Sequence, residues 1–182
     1  MLFSIDTSYT FREKGDLMRK KALFIFLLII VMFVCSCQRV DNCTYILFRL
    51  MSVTEEGVSD TGCIYTADAD ADTVGYLSAE VADTLYGENS YERYFTMIED
   101  YAIFVSTREP QEIAVFKCYS RSDVDAVARM CLSRADEIEI ALRKSEYANM
   151  SEGIRIDVYR EFVIMYFTDA QRHISNELER IF

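Results

Sequence analysis

The sequence predicts an α+β domain, an antiparallel sheet of about four strands with two or three helices packed mainly on one face. Three observations carry that prediction. Two pairs of short β-rich runs, 101–119 and 154–167, are each joined by a brief polar turn. One long segment, 122–144, repeats apolar residues at spacings of three and four. Shorter helical patterns stand before and after them, so the order is helix, hairpin, long helix, hairpin, helix. With one Pro and six Gly in 182 residues, the composition excludes collagenous and low-complexity chains. The length fits one domain, or one domain plus a tail.

The elements follow in chain order. Thr44 to Val53 (TYILFRLMSV) is apolar, but its period fits either a strand or a short helix. Glu55-Glu56-Gly57 breaks it, and Asp68-Ala69-Asp70-Ala71-Asp72 reads as an acidic loop. Ser78 to Tyr86 reads as a helix, capped by Ser78 and ended by Gly87 in a left-handed conformation. Tyr101–Ser106 and Glu112–Tyr119 are rich in β-branched and aromatic residues, and the loop containing Pro110 makes them an antiparallel hairpin. In the long helix, Val124, Val127, Cys131, Ala135, Ile138 and Leu142 form one stripe, and Ser122 with Asp125 imitates a capping box. Ile154–Tyr159 alternates at period two, while Phe162–Phe167 is apolar on both faces, the mark of a central strand. Thr168 and Gln171 form a second capping-box pattern, and Ala170, Ile174, Leu178 and Ile181 are the stripe of a last helix.

Ahead of this domain the chain reads differently. Arg19-Lys20-Lys21 precedes Ala22–Val34, 13 residues without a charge. A basic cluster, a short apolar core and small residues beyond it make a secretory signal, and the run is too short to cross a bilayer, which needs about 20 residues. Val34-Cys35-Ser36-Cys37 resembles a bacterial lipobox. That resemblance implies cleavage between Ser36 and Cys37 and diacylation of the Cys37 sulfur. Two acyl chains anchor stably where one binds marginally. Residues 1–17 carry Asp6, Glu13 and Asp16, which do not suit a signal. Lys14-Gly15-Asp16 is encodable as AAA-GGA-GAY, with AGGAG shortly before the Met18 codon, so translation is expected to start at Met18. The expected organisation is therefore a non-translated extension over 1–17, a signal peptide over 18–36, lipid anchor and tether over 37–60, and one globular domain over 61–182.

Charge narrows the partners. The full chain carries 19 basic and 30 acidic residues, a net −11. Removing the first 36 residues takes away five basic and three acidic residues and leaves 146 residues at a net −13. That sign disfavours nucleic acid as a partner, since its phosphates need cationic groups, and none is expected. The lipid on Cys37, rather than a basic surface, is expected to make the membrane contact.

The stretches LSAEVADTLYG (77–87), YAIFVSTREPQEIAVFKC (101–118), SDVDAVARMCLSRADE (122–137) and FVIMYFTDA (162–170) resemble a family of small lipoproteins from low-GC Gram-positive bacteria, domain-of-unknown-function family four-three-five-eight. The resemblance spans about residues 77–180, and its most telling piece is Glu112-Ile113-Ala114-Val115-Phe116-Lys117. It implies a lipid-anchored extracytoplasmic domain and supplies no catalytic or ligand residues. It also implies a second reading, an accessory subunit of cell-surface polymer O-acylation.

Chemistry-bearing residues are sparse. Cys43 and Cys63 flank the irregular N-terminal region and form the candidate disulfide, while Cys118 and Cys131 read as small buried hydrophobes. No Cys-x-x-Cys accompanies a His, so no zinc site is expected. Asp68, Asp70 and Asp72 open like a calcium loop, but Thr73 and Ala79 stand where Gly and Glu are needed. His173 is the single imidazole, beside the stripe of the last helix, with no nucleophile pattern to serve. The expectation is a non-catalytic module without cofactor or metal, held to membrane lipid through Cys37 and acting on a protein partner. A hydrolase with an unrecognised site is the remaining alternative.

Overall fold

The computed structural model describes residues 42–54, 61–108, 110–145, 147 and 153–182. The expected signal segment, the Val34–Cys37 tetrad with the expected lipidation and cleavage positions, and the expected Met18 start lie outside the described residues.

Among the described residues, five antiparallel strands form one sheet in the order β1-β2-β3-β5-β4: β1 (Gly62–Thr66), β2 (Ile98–Ser106), β3 (Glu112–Cys118), β4 (Arg155–Tyr159) and β5 (Phe162–Phe167). The two hairpins expected from the sequence are β2–β3 and β4–β5, with Ile103 opposite Ala114 and Val158 opposite Val163. β3 and β5 join the hairpins through pairs such as Val115 and Ile164. β1, absent from the sequence reading, pairs with β2 at the edge.

The helices are α1 (Cys43–Ser52), α2 (Ala79–Tyr86), α3 (Ser90–Tyr94), α4 (Val124–Leu142) and α5 (Gln171–Ile181), with a 3₁₀ turn over Phe95–Met97. The α+β class and the antiparallel sheet hold, but the helices cover both faces, not mainly one. Ile103, Ala114, Phe116, Val163 and Met165 pack against α2, α3 and α4. Ala102, Ile113, Val115, Ile164 and Tyr166 point the other way and pack against α1 and α5. The reason is the period of two: β3 and β5 are apolar at almost every position, so a single helical layer would leave half of each strand in water.

α1 corrects the expected tether. Asn42 Oδ1 accepts the Tyr45 N–H at 2.9 Å and starts the helix. Cys43, Ile46, Leu47 and Leu50 fall on one face and are fully buried. Cys43 N–H donates to Asp100 Oδ2 at 2.8 Å and ties the helix start to β2. The stretch 37–60 therefore contributes a core helix to the globule.

Caps account for the remaining differences. The Ser78 hydroxyl caps α2 as expected, accepting the Val81 N–H at 3.2 Å. Gly87 ends that helix at φ 95° and ψ 162°, a positive φ outside the left-handed helical region. The Asp83 carboxylate accepts the Tyr91 N–H at 2.9 Å and the Ser90 hydroxyl at 3.1 Å, so it starts α3 and is held below the usual carboxylate range. Neither capping box forms. Asp123 precedes α4 without a side-chain cap bond, and its carboxylate instead accepts the Ser120 hydroxyl at 2.7 Å. Gln171 donates to the Gly153 carbonyl, which ties α5 to the segment before β4.

Candidate functional site

A charged pair is buried where β3 meets α4. Glu112 opens β3 in phase with Ala114, Phe116 and Cys118, on the face that α4 covers. Arg134 lies on α4 three residues past the buried Cys131 and seven past Val127, so its side chain points at the same place. Its Nε and Nη2 donate to Glu112 Oε2 at 3.1 and 2.8 Å. The second carboxylate oxygen, Oε1, accepts the Tyr86 hydroxyl at 3.3 Å. Glu112 is 2 % exposed, so this carboxylate depends on those two partners.

The surroundings shift the neighbouring groups. Burial works against the Arg134 charge, but the attraction of the Glu112 carboxylate outweighs that, and the Arg134 pKa is raised. Tyr86 is raised well above its ordinary value, first by burial and then by Glu112. Its ring meets Phe116 edge-on at 5.6 Å, which fixes the hydroxyl beside the carboxylate.

The pair forms part of the lining of a cleft of about 460 Å³ between the tip of the β2–β3 hairpin and the C-terminal half of α4. Val105, Pro110, Ile138, Leu142 and Phe167 supply apolar walls, and Arg108 and Glu137 add one charge of each sign. Such a cleft has the size and the mixed lining of small-ligand and side-chain pockets. It can take an apolar group and orient it against fixed hydrogen-bonding groups. A second hollow of about 440 Å³, lined by Arg155, Tyr166, Asp169, Gln171 and Arg172 among others, lies where β4 and β5 meet the start of α5.

The residues singled out by sequence are not brought together. Cys43 touches Asp100, whereas Cys63 pairs with Val105, five residues farther along β2. That is about 17 Å along a strand, well beyond the roughly 7 Å limit between bridged Cα atoms. Both thiols are free, so the expected disulfide is not formed. Burial, then Asp100, pushes the Cys43 thiol up. Cys118 is pushed up to about 11 by burial and by Asp123, and Cys131 rises by burial and by Glu112. These are unreactive core thiols, as their positions in the sequence indicated for Cys118 and Cys131.

His173 is exposed on α5, on the opposite side of the sheet from the Glu112–Arg134 pair. Asp68, Asp70 and Asp72 sit in an exposed turn closed by Thr73 N–H on the Asp70 carbonyl at 2.9 Å. Among the described residues no cluster of His, Cys, Asp or Glu is arranged to hold a metal, and no helix is long and apolar enough to cross a membrane.

Glu112, Arg134 and Tyr86 are not among the site residues expected from the sequence, although it carries a signal for them. A Glu in phase with the inward residues of a strand, and an Arg close to the apolar stripe of a helix, are charges on core-facing positions, where a partner is required. No family model, no curated protein and no solved structure matches this chain.

Proposed function

We propose that this chain is an extracytoplasmic lipoprotein, anchored through Cys37, whose globular domain is a non-catalytic binding module. The observation that carries the anchor is the tetrad Val34-Cys35-Ser36-Cys37 at the end of a 13-residue uncharged run behind three basic residues. The binding reading rests on the cleft, where apolar walls surround a buried carboxylate–guanidinium pair. That combination suits one side chain or small group of a partner, held by apolar contact and aligned by the remaining guanidinium N–H groups of Arg134.

The test uses the full chain expressed in a Gram-positive host fed a palmitate analogue. Label on the wild type, together with its partition into membranes, supports the anchor; a Cys37→Ser variant that stays unlabelled completes the case. A wild type that is unlabelled and cytosolic overturns it. Extraction in mild detergent followed by affinity capture tests the module. A partner retained by wild type and lost from Ala141→Arg, which fills the cleft wall, supports binding there. Equal retention by both moves the contact elsewhere. A membrane O-acyltransferase in the eluate would identify the module as an accessory subunit of polymer O-acylation.

A further inference from the structure

We infer that the layer formed by α1 and α5 lies against the membrane, with Tyr45 and Phe48 seated at the lipid headgroup interface. The inference rests on the acylation of Cys37 proposed above, and three observations add to it.

The first is reach. Six residue steps separate Cys37 from Cys43, where α1 begins. Fully extended, they span about 20 Å. A domain on so short a leash cannot turn freely over the bilayer, and α1 is the element kept nearest to it.

The second is the surface of α1 itself. Behind its buried face, Tyr45 and Phe48 are 48 % and 53 % exposed. They stand three residues apart on one outer stripe, with Arg49 beside them and its guanidinium 5.9 Å from the Tyr45 ring. Aromatic rings next to an arginine suit the boundary between headgroups and acyl chains. No Asp or Glu occurs anywhere in α1, in a chain with 30 of them.

The third is the contrast between the two helical layers. α1 and α5 together carry three arginines against two glutamates, and one of those, Glu177, is buried against Arg49 and Arg180. The layer of α2, α3 and α4 carries three arginines against seven acidic residues. An anionic leaflet repels the second layer and tolerates the first. With α1 and α5 on the lipid, the Glu112–Arg134 cleft, on the other side of the sheet, opens away from the membrane.

The chain contains no Trp, so Phe48→Trp places a single indole on this face. Leu132→Trp, on the outer side of α4 at a residue 54 % exposed, serves as reference. Each lipidated full-length variant is reconstituted into vesicles of phosphatidylglycerol and brominated phosphatidylcholine, with unbrominated vesicles as the control. Loss of indole emission from Phe48→Trp, with Leu132→Trp unaffected, supports the inference. Undiminished emission from Phe48→Trp in a protein whose Cys37 is acylated overturns it and leaves the anchor standing. If that unquenched indole is also shielded from acrylamide, the face is covered by a second copy instead, which overturns the inference in the same way. Equal loss in both variants also overturns it. A Cys37 without acyl groups removes the anchor and this inference together.

Discussion

Arg134 places two N–H groups on one oxygen of Glu112, and Tyr86 covers the other, so a carboxylate 2 % exposed has both oxygens bonded. The charge is tolerable only while those partners remain. Arg134→Ala is expected to cost about 3–5 kcal/mol, because it leaves a buried carboxylate uncompensated. Changing all three together, Glu112→Leu with Arg134→Met and Tyr86→Phe, removes every polar group at once and should recover most of that loss. Urea unfolding followed by circular dichroism measures both. A triple variant no more stable than Arg134→Ala would show that the pair is net stabilising.

Leu47 is fully buried on α1, in the core between that helix and the sheet. Leu47→Ala should therefore lower stability by about 2–5 kcal/mol. A change within about 0.5 kcal/mol, as at an ordinary surface position, would restore 37–60 to the role of tether. The measurement is the shift in urea midpoint.

The thiols should differ sharply in reactivity. Cys43, Cys118 and Cys131 are buried and raised in pKa, while Cys63 is half-buried on the edge strand β1. Among the described cysteines, iodoacetamide at pH near 8 should modify Cys63 first and reach Cys43, Cys118 and Cys131 only on unfolding. Peptide mass mapping reads the order. A mass two hydrogens short, without any reductant present, would restore a disulfide.

Tyrosine ionisation should limit the alkaline range. Burial, then the neighbouring Tyr91 and Tyr76, raises Tyr101 from its ordinary value near 10 to about 12, and burial also raises Tyr86 and Tyr166. The fold favours the neutral phenol, so this contribution is fully present below pH 10 and is lost as pH climbs from 10 toward about 12. Tyr101→Phe should flatten that decline. Thermal midpoints across the interval, alongside phenolate absorbance, provide the check.

Arg160 turns the β4–β5 hairpin at φ 56°, a region where a side chain crowds its own carbonyl. Arg160→Gly should relieve roughly 1 kcal/mol of that strain, less what glycine adds to the entropy of the unfolded chain. The thermal midpoint is expected to rise slightly. A fall would mean that the Arg160 side chain contributes more than its backbone costs.

Much of the fold was legible because its signals are local. The Phe162–Phe167 run and the stripe through Val124, Val127 and Cys131 declared strand and helix by their periods, and Ser78 capped its helix as its hydroxyl allows. The second capping box failed because Gln171 found a distant partner, the Gly153 carbonyl, that only the folded chain supplies. α1 was ambiguous because Tyr45, Phe48 and Met51 add apolar residues around the buried face of Cys43, Ile46, Leu47 and Leu50, which blurs the period.

The sequence by itself determined the α+β class, the two hairpins, the amphipathic faces and the acidic balance, since each follows from composition or from neighbours a few residues apart. Only the tertiary structure decided that helices cover both faces of the sheet, that Cys43 and Cys63 stand apart, and that Glu112, Arg134 and Tyr86 meet. Those outcomes depend on register between strands distant in the chain. A single-residue slip would turn Glu112 to the other face.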